Sequence, residues 1–148
     1  MQHTLTISRK VDYALRAMIF LASTPDEKAI PFREIARLMT IPEEFLAKIL
    51  KTLVNQGLLR STRGARGGYA LAKPRGAISF LDVIEAVEGP VVVNLCLSGT
   101  GRCKLTPKCT MYAIWKLGQE RMLEVYRAAT LDTLVMQSVA ERLRPGAA

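Results

Sequence analysis

Three cysteines, the only ones in the chain, follow the spacing Cys96-x6-Cys103-x5-Cys109. Thiolates are ligands for soft metals and for iron–sulfur clusters, and a loop that also carries Gly99, Gly101 and Pro107 lets three of them converge on one centre. A stable disulfide framework fits poorly. Three thiols leave one over, and the N-terminal segment lacks the cleavage pattern of a signal peptide. Structural zinc is the chief rival, although its sites are usually built from closely spaced cysteine pairs, absent here. Redox-active thiols without a metal are the third reading, and spacing alone leaves all three open. Arg102, Lys104 and Lys108 flank the sulfurs and favour negative charge between them. Cys109 is expected in the first turn of a long helix, where unpaired backbone N–H groups stabilise a thiolate. For a fourth ligand, His3, the single histidine, is a poor candidate near the chain terminus. Asp12 stands where acids commonly open a helix, which by itself accounts for it.

A second chemistry is written in charge. The chain has a formal net charge of +8, with 13 Lys/Arg against 6 Asp/Glu in residues 1–75 and 8 against 7 in residues 76–148. No acidic residue occurs between Glu44 and Asp82, while Lys48, Lys51, Arg60, Arg63, Arg66, Lys73 and Arg75 all fall in that interval. Cations without neighbouring anions attract phosphate. Arg63 and Arg66 are set among three glycines, which let a backbone approach a phosphate closely. An arginine at such a tip suits a narrow minor groove.

The elements that must position these residues are legible from periodicity. Ser8 is read as the cap of a helix reaching about Thr24, with Val11, Ala14, Leu15, Met18 and Leu21 towards a core. Pro31 opens a short helix with Phe32, Ile35, Ala36 and Met39 on one face. After the break Thr40-Ile41-Pro42, a third helix runs from Glu43 to about Gln56. Its core face is Phe45, Leu46, Ile49, Leu50 and Leu53, leaving Glu43, Glu44, Ala47, Lys48, Lys51 and Thr52 outward, and Gly57 ends it. Two short helices joined by a tight break form a helix-turn-helix. Strands over 58–62 and 69–71, joined by the glycine-rich turn, make a hairpin wing directly after it. Ser79 caps a further helix to about Glu88, a brief extended run covers Val91–Val93, and a loop over 96–109 carries the cysteines. Thr106 and Pro107 are read as the start of a helix to Ala129, ~35 Å long at ~1.5 Å per residue. A last short helix reaches about Leu143. The fold expected is mainly α with a small β-hairpin. Residues 1–77 form a winged-helix DNA-binding domain, and residues 78–148 hold the cysteine loop and the dimerisation helices.

The last long helix has its own pattern. Met111, Trp115, Gly118, Met122, Val125 and Ala129 follow alternating spacings of four and three, a coiled-coil-like stripe, while Lys116, Glu120 and Glu124 take another face. A helix of some six turns is more than one small core covers, so the stripe points to a second copy of the chain.

Val11-Asp-Tyr-Ala-Leu-Arg16, the wing Arg63-Gly-Ala-Arg-Gly-Gly-Tyr69, Leu71-Ala-Lys73, the cysteine triad, Ala113-Ile-Trp115 and Thr130-Leu131 together resemble the IscR/NsrR family of bacterial winged-helix regulators, over essentially the whole chain. The resemblance implies a homodimer, joined along the long C-terminal helix, that binds palindromic double-stranded DNA operators, usually as a repressor. It implies a 2Fe–2S or 4Fe–4S cluster on Cys96, Cys103 and Cys109, with cluster loss or modification altering DNA affinity. It places Ala47 and Lys48 where the recognition helix reads bases and Arg63 where the wing enters the minor groove. Lys51, Arg60 and Arg66 complete the cationic surface around them. Two departures mark the branch. Tyr112 stands where some members carry a histidine three residues after the last cysteine. Asp12 matches the aspartate that, from the partner subunit, completes the 4Fe–4S cluster of nitric-oxide-sensing members. The first cysteine interval is one residue longer than in that branch.

Other classes fit less of the sequence. No paired acid–base groups, nucleophile elbow, metal-binding histidine pair or nucleotide loop indicates an enzyme. An electron-transfer or cluster-carrier protein explains the cysteines but not the basic wing. A zinc or thiol regulator explains both. The hydrophobic fraction of 49% is that of a globular chain, and no apolar run approaches the ~20 residues of a membrane span, so the protein is expected in the cytoplasm.

Overall fold

Helix α1 (Arg9–Ala22) is the axis of the core. Ser8 caps it, accepting from the Val11 N–H at 3.3 Å, and seven of its residues are buried. Ala14, Ala17 and Ala22 are fully buried, and their small side chains let neighbouring helices approach closely. The computed structural model describes residues 7–25, 28–99 and 103–135. Helices α2 (Phe32–Met39), α3 (Glu43–Asn55) and α4 (Phe80–Glu88) all pack on α1. Leu46, Ile49, Leu50 and Leu53 of α3 and Val83, Ile84 and Val87 of α4 complete the core. Among the described residues, no helix is long and apolar enough to cross a membrane.

The turn between α2 and α3 is tight. Thr40 takes a left-handed conformation (φ 54°, ψ 51°), and the Ile41 N–H returns to the Ala36 carbonyl at 3.0 Å. Ile41 is buried beneath the turn, and Pro42 opens α3. The two helices are thus locked as a helix-turn-helix.

Strands β1 (Leu59–Thr62) and β2 (Gly68–Leu71) pair antiparallel in the register Leu59↔Leu71 to Thr62↔Gly68. The wing is also tied to the helices. Ile30 and Tyr69 exchange two backbone hydrogen bonds of 2.9 Å, a third-strand stub before α2 that periodicity did not reveal. The approach is so close that a Cβ on Gly68 would lie 2.2 Å from the Ile30 carbonyl oxygen. One on Gly67 would lie 2.4 Å from that of Thr62.

Ser79 and Asp82 form a reciprocal capping box at the start of α4. The other end of α4 is held to the start of α1. Ser8 Oγ donates to Glu88 Oε1 at 2.5 Å, and Lys10 Nζ donates to the Val87 carbonyl. After helix α5 (Tyr112–Ala128) the chain returns to the core. Phe80 N donates to the Ala129 carbonyl at 2.7 Å, Leu131 N donates to that of Ile78 at 2.9 Å, and Leu131 is fully buried. Residues 131–135 are helical; the rest of the helix expected to Leu143 lies outside the described residues.

Two expectations change. The helix expected from Pro107 to Ala129 is broken into a 3₁₀ turn (Thr106–Lys108) and α5, because Cys109 is extended (φ −83°, ψ 112°) and ends the turn. Thr106 therefore caps no long helix. Phe45, expected in the core, is 48% exposed.

Gly68→Ala should lower the urea midpoint by an amount corresponding to about 1–3 kcal/mol, as overpacking against fixed backbone does. Gly57→Ala serves as the comparison, because its strain is conformational only, with nothing within 4 Å of the added Cβ.

Candidate nucleic-acid interface and cysteine loop

Burying Leu46, Ile49, Leu50 and Leu53 turns Glu43, Glu44, Ala47, Lys48 and Lys51 to solvent on the opposite side of α3. The wing tip between β1 and β2 exposes Arg63 and Arg66, and Arg60 is exposed on β1. Among the described residues, Lys48, Lys51, Arg63 and Arg66 have no ion-pair partner, so their charge is available to phosphate. One of the seven cations counted in sequence belongs elsewhere. Arg75 Nε is paired with Asp132 Oδ1 at 2.6 Å, and its Nη1 donates to the Ala22 carbonyl at 3.4 Å. That pair fastens the returning chain to the core. Lys73 lies apart from the wing tip, lining a groove with Asp82 and Glu85.

Asp12 lies in the first turn of α1 and is paired with Arg16 at 2.5 Å. The Arg16 guanidinium also sits 5.5 Å from the centroid of the Tyr13 ring. Tyr13 in turn meets Phe45 of α3 edge-on, with centroids 6.1 Å apart. A continuous run of contacts therefore connects Asp12 with the recognition helix.

Cys96 lies in a 3₁₀ turn (Leu95–Leu97), half-buried against α5. The root of this loop is tethered there, because Val93 N donates to Gln119 Oε1 at 2.9 Å. Cys103 is exposed, Cys109 is half-buried, and all three thiols are free. The expected thiolate site moves by one cysteine. Cys109 closes a short turn instead of lying within the first turn of the long helix. Cys103 precedes that turn, and the Leu105 N–H, followed by the Thr106 hydroxyl, holds its thiol below the ordinary cysteine range.

Among the described residues, no three His, Cys, Asp or Glu side chains come close enough to hold a metal ion. The donor set nevertheless suits a soft metal–sulfur group: three free thiols on one loop, one of them hydrogen-bonded so that it ionises more readily. The loop also exposes Leu95 and Leu105.

Helix α5 buries none of its residues within the chain. One side leans on the core through the Phe80–Tyr126 ring contact (5.1 Å) and the Gln119 tether. Of the expected stripe, Met111, Trp115, Gly118 and Val125 are exposed, while Met122 and Ala129 are half-buried. Ile114, 69% exposed, extends the stripe and was missed by the four-three spacing, although it lies i+3 from Met111. The far side is charged, with Lys116–Glu120 at 3.9 Å and Arg121–Glu124 at 2.9 Å.

A helix-turn-helix followed by a hairpin wing, with unpaired cations on both, defines a winged-helix DNA-binding transcriptional regulator. The model of the Rrf2 family, described as an iron-dependent transcriptional regulator, matches residues 7–137, and the chain belongs to that family. It is 30% identical over 132 residues to the HTH-type transcriptional regulator NsrR of Oceanobacillus iheyensis, covering 88% of this chain and 90% of that one. Among solved structures it is similar to IscR of T. potens (TM-score 0.76, 26% identity, 96% of this chain and 94% of that one). It is also similar to CymR, the global cysteine regulator of B. subtilis (TM-score 0.71, 30% identity, 90% and 98%).

The three thiols should differ in reactivity. Thiolate is the nucleophile, so at pH 7 Cys103 should be alkylated by iodoacetamide faster than Cys96 and Cys109, read by peptide mass spectrometry. Thr106→Val should slow Cys103 alone, and equal rates at all three sites would contradict the hydrogen bonding around Cys103.

Proposed function

We propose that the chain acts as a homodimeric repressor whose affinity for a palindromic operator is set by an iron–sulfur cluster held by Cys96, Cys103 and Cys109. Residues 1–77 grip the DNA, and residues 78–148 hold the sulfur ligands and the subunit contact. The observation that carries this reading is the Val93–Gln119 hydrogen bond, which fastens the cysteine loop to α5. Helix α5 has an apolar stripe, Met111, Ile114, Trp115 and Val125 among it, that the described residues leave exposed. A rearrangement of the loop therefore reaches the subunit contact directly.

An iron–sulfur cluster supplies reactivity towards nitric oxide and oxygen and sensitivity to iron supply. Asp12 is the candidate fourth ligand, offered to the loop of the partner subunit. Its carboxylate must first leave Arg16, an exchange between exposed groups that costs little. Ala47, Lys48 and Lys51 face the major groove. Arg63 enters the minor groove, and Arg60 and Arg66 hold phosphates. Two recognition helices must sit one DNA turn apart, ~34 Å, so a small change at α5 loses contacts at both half-sites. The switch requires a coupling of about 1–3 kcal/mol between loop and operator.

A second reading is a metal-free thiol switch. The activated Cys103 favours it, as does the likeness to CymR, described as a cysteine regulator.

Anaerobic purification decides between them. The expected result is a brown protein whose visible absorption disappears in Cys96→Ala, Cys103→Ala and Cys109→Ala, with operator affinity at least fivefold different between loaded and stripped forms. Asp12→Ala should weaken retention of the colour under nitric oxide. A colourless protein whose DNA binding responds to diamide would establish the thiol switch instead.

The dimer has a separate test. In sedimentation velocity the wild-type chain should run as a dimer. Ile114→Glu should run as a folded monomer, because the side chain is exposed in the single chain, and should lose at least tenfold in operator affinity. A variant that stays dimeric would place the interface elsewhere.

A further inference from the structure

We infer that Phe45 is a base-reading residue, whose ring meets the C5-methyl group of thymine in the major groove. The inference rests on the operator-binding reading above and adds to it a sequence preference that the cations do not supply.

Phe45 lies in the first turn of α3, the part of a recognition helix that reaches base edges. Its neighbour Leu46 is fully buried, yet Phe45 is 48% exposed. The ring is not loose. Tyr13 of α1 braces it edge-on at 6.1 Å and 67°. Tyr13 carries the Arg16 guanidinium at its own ring, and Asp12 holds Arg16. Lys48 follows one turn later on the same flank, where a phosphate contact would set the depth of the helix in the groove. An aromatic ring offers bases no hydrogen bond. The apolar feature in the major groove that it can recognise is the methyl group of thymine. Lys48 and Lys51 serve phosphate or guanine, and Ala47 is too short to reach beyond its own base pair. Ala47 can also meet a thymine methyl, but Phe45 presents the larger apolar face of this surface.

The test uses the full-length protein and an operator it selects from a random duplex pool. Each thymine of one half-site is replaced in turn by deoxyuridine, which lacks only the methyl group. With the wild-type chain, one or two positions should lose about fourfold in affinity, the worth of one buried methyl group. With Phe45→Ala the same operators should bind with equal affinity whether they carry thymine or deoxyuridine, and Phe45→Leu should keep part of the preference. Lys48→Ala should weaken all of them alike and leave the preference intact. If the wild type shows no methyl dependence, or Phe45→Ala keeps it, the inference is overturned while operator binding stands. If Phe45→Ala instead changes the oligomeric state, the ring belongs to a subunit contact and the inference also falls. A wild-type chain that selects no sequence removes the operator reading together with it.

Discussion

Leu46, Ile49, Leu50 and Leu53 leave water by lying in the core formed with α1 and α4, and the rest of the DNA-facing surface follows from that contact. Each such side chain contributes about 1.5–3 kcal/mol when fully buried, far more than any rotation of α3 could recover on its polar side. With that face fixed, Ala47, Lys48 and Lys51 have one direction to point. The left-handed Thr40 and the buried Ile41 then set where α3 begins, and the Ile30–Tyr69 bridge sets where the wing stands beside it. The cations of helix and wing share a surface because three backbone and packing constraints agree.

Electrostatics refines that surface. The long interval without acids promises seven cations, but a charge counts for phosphate only when no carboxylate holds it. Arg75 is consumed by Asp132, some 57 residues away in sequence. The remaining field is smaller than the sequence suggests and more sharply placed, on the outer side of α3 and at the hairpin tip. The Arg16–Asp12 pair matters in the same way. Half-exposed and worth little in stability, it can be exchanged readily for a stronger partner.

The second half of the chain follows a different constraint. Helix α5 touches its own core along one side only and leaves an apolar stripe beside that contact. Its position is fixed by the Phe80–Tyr126 rings, by Gln119 and by the backbone bridge that seats Leu131. The cysteine loop hangs between these anchors. Because the loop is rooted on the helix that carries the exposed stripe, the proposed coupling of chemical state to a subunit contact needs no long pathway.

Much of this was legible from residue order alone. The helix-turn-helix, the wing, both serine caps and the α5 stripe rest on local rules: periodicity, capping and turn chemistry act over a few residues and so are present in the sequence. Most of what escaped depended on distant partners, the break at Cys109 being a local exception. Phe45 fits the apolar period of α3, yet Tyr13 draws its ring to the flank. Cys109 reads as the opening of a long helix, yet the chain breaks there and the thiolate-stabilising donors fall to Cys103. Gly68 reads as turn flexibility, whereas its need arises from the Ile30 backbone pressed against it. The kinds of group this protein can use were set by the sequence; which of them stand free, braced or paired was decided only when segments far apart in the chain came into contact, because burial and charge neutralisation belong to neighbours in space.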